Sequence, residues 1–236
     1  MKKLSVIIPT IYKKPLILYK IIELLSSEDV VDEIILISNA ECTMSFPYAE
    51  KLKFFEPERN AYVCLSWNFG VSIIQNDYFL IMNDDILFPK NFCEKVLNSE
   101  IWDKENTGLI GLDVDFINNY DKTITDDIDI PTLDNDVKLE YKPLDKYLKT
   151  GDWASAFFGK KDSYHDIPDI FNIIYGDNYL LYQNIMRGKI NYSVSGVNFN
   201  HVHSSSSASK EFSEIIKNDH LGWAWYTINY INQSKF

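Results

Sequence analysis

The stretch YFLIMNDDILFP, Tyr78 to Pro89, decides how the chain is read. An apolar run, Tyr78 to Met82, leads into Asn83-Asp84-Asp85, and Ile86-Leu87 then resume the apolar pattern. A short continuous apolar run closed by turn residues reads as a strand buried on both faces. In an open α/β sheet, ligands collect beyond the carboxyl ends of the strands, near the point where strand order reverses. Two adjacent carboxylates at such an end have two readings. One is a polar turn, for which Asn and Asp are common. The other is a divalent-cation site. Hard cations take one or two protein carboxylates and complete their shells with phosphate oxygens and water.

Working outward, the same kind of strand recurs at LSVIIPT (Leu4 to Thr10), ended by Pro9, and at EIILIS (Glu33 to Ser38), with a third at Lys51 to Pro57. Apolar residues at Leu16, Ile17, Ile21, Leu24 and Leu25 predict a helix over Pro15 to Ser26, with proline in its first turn. A second helix is predicted over Leu65 to Ile74. The order β-α-β-β-α-β, with fully apolar strands, implies an α/β fold: a mainly parallel central sheet with helices on both faces. Further on, helices are expected at Pro89 to Leu97, Gly176 to Arg187 and Phe212 to Ile231. Strands are expected at Gly108 to Phe116, Trp153 to Gly159 and Lys189 to Val197, and a serine-rich loop at His201 to Ser209. There is no internal repeat and no linker, and 236 residues suit one sizeable α/β domain.

A formal net charge of −11 argues against nucleic acid as the main partner, because phosphate binding needs a Lys/Arg surface. An acidic protein that holds an anionic ligand needs a metal ion or helix N-termini to do so. The segment IIPTIYKK after the first strand has neither GxGxxG nor GxxxxGK[ST], which disfavours a Rossmann dehydrogenase and a P-loop NTPase. A diphosphate bound here would be gripped through a metal. Cys42, Cys64 and Cys93 are scattered and odd in number, as in a reduced compartment without a disulfide framework. The apolar run of MKKLSVIIPT stops at Pro9, too soon for a secretory signal, and no run is long enough to cross a membrane. The cytoplasm is the expected compartment.

Several motifs in this order resemble the GT-A glycosyltransferases, especially the family-2 group of inverting nucleotide-sugar transferases. LSVIIPT looks like their opening strand. SWNFGVSIIQNDYFLIMNDD looks like their segment of helix, strand and "DxD" metal motif. FFGKKDSYHDIPDIFNIIYGDNYLLYQNIMRGKINYSVSGVNFNHVH looks like their second half, with an acidic residue opening a helix and a late histidine. The resemblance spans about residues 3–205. It implies a single GT-A domain over 1–236, with a nucleotide-binding half (about 1–110), an acceptor and catalytic half (about 111–210) and a C-terminal helix (211–236). The chain departs from the pattern at three places: Asn83 for the first Asp of the motif, Ser38-Asn39 where a base-binding Asp is usual, and Gly176-Asp177 for a Glu-Asp pair.

The resemblance assigns roles. Asp85 would ligate Mn²⁺ or Mg²⁺, and Asp84 or Asn83 would hold the ribose or a metal-bound water. His201 or His203 would complete the metal site; on a strand both would point to one face. Asp177 would be the general base that takes the acceptor proton, and the bland alternative is a carboxylate at a helix start. Pro9, Thr10 and Asn39 would line the base pocket, and Asn68 would reach base or ribose, with capping and turn chemistry as the alternative for each. Trp153 would offer a ring face to a sugar, or else be core. The donor would be a nucleotide diphosphate sugar of the UDP-hexose class, and the acceptor a hydroxyl of a glycan or glycoconjugate.

Two other readings compete. A sugar nucleotidyltransferase should carry a glycine-rich basic loop after the first strand, which IIPTIYKK lacks. A nucleotide-sugar or glycan-binding module without turnover would tolerate the three departures. The Asp-rich segment Asp113 to Asp136 has eight aspartates but no DxDxDG pattern, so a solvated excursion, a lid over the acceptor, is expected there rather than an EF-hand. The C-terminal HLGWAWYTINYI lacks the basic face of a membrane-surface helix, so packing on the sheet or on a partner subunit is expected.

Overall fold

The computed structural model describes residues 2–42, 44–46, 50–120, 132–134, 136–144, 153–202 and 210–231, and at 118–120, 153–155 and 202 the backbone only. Its elements in chain order are β1 (Leu4–Thr10), α1 (Pro15–Ser27), β2 (Val31–Ser38), β3 (Leu52–Phe55), α2 (Tyr62–Ile73), β4 (Tyr78–Met82), β5 (Ile86–Leu87) and α3 (Phe92–Leu97). There follow β6 (Thr107–Asp113), β7 (Ile117–Tyr120), β8 (Glu140–Pro143), β9 (Trp153–Lys160), α4 (Gly176–Met186), β10 (Ile190–Ser195), β11 (Phe199–Val202) and α5 (Ser213–Tyr226). The last turn of α5 widens into a π-helical turn, Thr227–Ile231.

Eight strands form the main sheet in the order β3-β2-β1-β4-β9-β6-β10-β8. The first four are parallel to one another. β9 runs antiparallel between β4 and β6, and β8 antiparallel on the edge beside β10. The apolar runs explain the layering. Alternate residues of each central strand face opposite sides: Val6 and Ile8, Ile34 and Leu36, Leu80 and Met82 meet α1 and α3. Ile7, Ile35 and Ile37, Phe79 and Ile81 meet α2 and α4 on the other side. Both faces are covered, so the strands need no polar face at all.

A second, three-stranded sheet, β5-β11-β7, stands at the carboxyl end of β4. Sequence periodicity places a loop from His201 onward, but His201 and Val202 end β11, held by pairing with β5 and β7. The C-terminal helix joins the core cluster on the α2 and α4 side of the sheet through Tyr226 and Ile231. Its rings pack on Phe171, Tyr179 and Tyr182, from α4 and the segment before it. Cys42, Cys64 and Cys93 are free thiols. No helix among the described residues is long and apolar enough to cross a membrane.

Candidate active site

Strand order fixes where a ligand can sit. The chain passes from β1 outward to β2 and β3, then returns to place β4 on the other side of β1. The crevice between β1 and β4 at their carboxyl ends is therefore a strand-order reversal, where α/β sheets bind ligands. The last residue of β1, Thr10, donates its hydroxyl to Asp84 Oδ2 at 2.5 Å, directly across this crevice. Burial and the neighbouring charge of Asp85 push the Asp84 carboxyl up to about 7. Thr10 Oγ1 also accepts from the Tyr12 amide at 2.9 Å. Tyr12, held in the left-handed region at φ 57°, donates its hydroxyl to Ser38 Oγ at the end of β2 at 2.9 Å. Pro9 and Thr10 pair in register with Ile37 and Ser38, so the ends of β1 and β2 form one continuous floor.

Asp85 is buried, at 3% exposure, yet its Oδ1 makes no hydrogen bond. A buried carboxylate oxygen without a proton donor is costly unless a cation or ligand completes it. His201 Nε2 lies 3.3 Å from that oxygen. The contact arises from strand pairing, because His201 of β11 sits opposite Ile86 of β5, the residue after Asp85. A carboxylate oxygen and an imidazole nitrogen 3.3 Å apart form an ion-pair contact and are also donor atoms of the kind that hold a divalent cation. Among the described residues, no third His, Cys, Asp or Glu joins them. His203 and the Asp-rich stretch 121–130 lie outside the described residues, as do the side chains of Trp153 and Val202.

The two asparagines expected at the nucleotide, Asn39 and Asn68, bond to protein groups in this structure. Asn39 accepts from the Ala61 amide at 2.8 Å and donates to Tyr62 O and Ser66 Oγ at 3.2 and 2.9 Å, which fastens the end of β2 to the start of α2. Asn68 donates to Ile167 O at 2.8 Å and accepts from the Ile167 amide and the Tyr164 hydroxyl at 2.9 and 2.8 Å. It clamps the turn at 164–167 onto α2. Bonds of this kind belong to the capping and turn chemistry given above as the alternative for each.

Asp177 stands in the first turn of α4, partly exposed, with Oδ1 accepting from the Asn178 amide at 2.9 Å. Burial raises its carboxyl above the usual carboxylate range. The preceding Gly176 packs against α2 so closely that a Cβ would lie 2.7 Å from Cys64 Sγ and 3.1 Å from Ile167 Cδ1. A glutamate at 176 would not fit this packing, which accounts for one departure from the resembling family. Burial, and the charges of Asp177 and Asp219, hold the Cys64 thiol well above its usual value.

Sequence reasoning missed Tyr12 and Asp219. Tyr12 lies in a stretch, IYKK, with no turn signature beyond the following proline. Asp219 sits within an aromatic helix and looks solvent-facing, yet it is fully buried.

The layered sheet with a carboxylate pair at its reversal point is the GT-A architecture. A crystal structure of GalNAc-T7 with UDP, GalNAc and Mn²⁺ matches it with a TM-score of 0.63 at 12% identity, over 86% of this chain and 44% of that one. At that identity the likeness establishes the fold, and the chain spans less than half the length of that protein. No curated protein matches the chain. The profile of Glycosyl transferase family 2 matches residues 5–167, well over half the sequence, and the chain belongs to that family. The match ends before α4, so Asp177, His201 and α5 lie beyond it.

Proposed function

We propose that the chain is a metal-dependent, inverting glycosyltransferase. It moves a hexose from a nucleotide diphosphate sugar, of the UDP class, to a hydroxyl of a glycan or glycoconjugate. The observation that carries this reading is the buried, hydrogen-bond-free Asp85 Oδ1 beside His201 Nε2 at the strand-order reversal. Family membership and the UDP and Mn²⁺ in the GalNAc-T7 structure support it.

In this reading Asp85 and His201 hold Mn²⁺ or Mg²⁺, and the bound metal supplies positive charge for the leaving diphosphate. Asp84, fixed by Thr10, and Asn83 hold the ribose or a metal-bound water. Pro9, Thr10 and Tyr12 floor the base pocket. Asn39 and Asn68 shape it through the protein bonds they make. Asp177 takes the proton of the acceptor hydroxyl. The acceptor oxygen bonds to the anomeric carbon as the bond from that carbon to the phosphate oxygen breaks, and the electron pair leaves with the nucleoside diphosphate. A raised carboxyl suits a base that must take a proton near neutral pH.

The test is thermal unfolding with a panel of nucleoside diphosphates and nucleotide sugars, each with Mn²⁺, Mg²⁺ or EDTA. A ligand that binds only the native state raises Tm; about 100-fold excess over Kd adds roughly 2.7 kcal/mol. The expected result is a shift with a uridine nucleotide that vanishes in EDTA. No shift with any nucleotide under any condition overturns the reading.

A further inference from the structure

The segment 172–175 leads directly into Gly176-Asp177 and belongs to no helix or strand. Three successive backbone amides of it are nonetheless bonded to one side chain. Asp219, from the middle of α5, accepts from the amides of Asn172, Ile173 and Ile174 at 2.9, 2.7 and 2.9 Å, and from Asn172 Nδ2 at 3.2 Å. One buried carboxylate thus satisfies three successive amides, an arrangement otherwise made by a helix-capping side chain. Asn172 O in turn accepts from the amides of Val63 and Cys64, at 2.9 Å each, which ties the segment to the start of α2. The next residue, Tyr175, is in the left-handed region at φ 70°, and its carbonyl accepts the first helical bond of α4 from Tyr179. Its ring stacks on Trp223 of α5, with centroids 5.1 Å apart and planes 3° from parallel. Its hydroxyl lies 2.6 Å from His220 Nδ1.

The hydrogen bonds that hold residues 172–174 thus come from α5 and α2, and the Tyr175 ring packs on α5. We propose that Asp219 is a positioning residue for Asp177, and that α5 is an integral strut of the catalytic centre. This rests on the reading of Asp177 as the general base. The physical argument is one of tolerance. A displacement of about 1 Å in a reacting group costs on the order of 100-fold in rate. The segment 172–175 that leads into α4 has no strand or helix of its own to hold it to that tolerance. Asp219 supplies the restraint from outside, as supporting side chains do around well-ordered sites.

The experiment uses the full chain and the donor identified by thermal shift, with Asp177→Asn as the reference for a lost base. Asp219→Asn keeps one acceptor oxygen and the side chain's volume, whereas Asp219→Ala keeps neither. The expected result is a fall in kcat of roughly 10- to 100-fold for D219N, larger for D219A, with the donor-induced rise in Tm retained. The acidic limb of the kcat profile should also move to lower pH, as the Asp177 carboxyl becomes more solvated. A variant that only unfolds a fraction of molecules scales the profile without moving it. Trp223→Leu, at a partly exposed position, serves if the Asp219 variants do not fold, and should move kcat and the limb in the same directions. Unchanged kcat and limb in a folded D219N or W223L, with D177N inactive, would overturn the positioning role and leave the base in place. Full turnover in D177N would overturn both.

Discussion

The two carboxylate sites of this protein are held in opposite ways. Asp84 and Asp85 follow a strand in the middle of a parallel sheet, and their surroundings come from strand register: Thr10 from β1, and His201 from β11 through its pairing with β5. Asp177 follows a segment without regular structure, held by a carboxylate on a helix more than forty residues further along the chain. The first site needs no dedicated support, because a sheet with both faces buried cannot slip register. The second needs a dedicated polar anchor. The difference teaches that the Asp84–Asp85 site, the donor end in the proposed function, is a property of the fold, whereas the Asp177 site, the acceptor end in that reading, is a property of one hydrogen-bonded junction.

The comparison breaks most sharply at the carboxylates themselves. Asp177→Asn should lower turnover by roughly 10²- to 10⁴-fold and leave the metal-dependent donor shift in Tm intact. Asp85→Asn should remove both turnover and the difference between Mn²⁺ and EDTA in the donor shift. The two variants are separated by comparing steady-state rates with thermal shifts on the same samples. If D177N also lost the donor shift, the division into two ends would fail.

A smaller effect probes the packing beside Asp177. Gly176→Ala forces a methyl against Cys64 and Ile167 and should destabilise by about 1–3 kcal/mol, as overpacking does. Adding Cys64→Ala removes the nearest obstacle, so the double variant should recover part of that loss, a coupling that urea unfolding of the four proteins measures.

The smallest effect on turnover comes from a carboxylate outside both regions. Glu28 is buried near the amino ends of the strands, and its Oε2 accepts from the Glu94 amide of α3 at 3.1 Å. Desolvation pushes its carboxyl from 4.5 up to about 7. The folded state then binds the proton more tightly than the unfolded chain does. Its contribution to stability is complete below about pH 4.5 and is lost as pH rises through about 7. Glu28→Gln should therefore match the parent protein near pH 4 and exceed it by about 3 kcal/mol near pH 8, with kcat unchanged. Chemical denaturation at the two pH values checks the sign.

Much of the fold was legible because its strands are apolar throughout. The limits of β1 and β4 agree with the sequence expectation residue for residue, and α1 differs by one residue at its end. What was not legible follows from the same physics. An apolar run has no direction, so nothing in AFFG reveals that β9 enters antiparallel. Strands of two to four residues, such as β5 and β11, carry no periodicity and exist only through pairing. At the candidate site the acidic island stood out by contrast with its apolar flanks. Tyr12 and Asp219 did not, since one acts through a backbone angle and the other through burial.

The place of β9 has a consequence for the order in which the molecule is made. β6 pairs only with β9 and β10, and both lie downstream of it. One edge of β4 likewise waits for β9. As the chain leaves the ribosome, two central strands stand with unpaired backbone until about residue 160 has emerged, and open strand edges are the surfaces on which chains aggregate. β9 closes the gap in the middle of the sheet before β10 fills the place between β6 and β8, and a nascent chain stalled before β9 would be a client for chaperones.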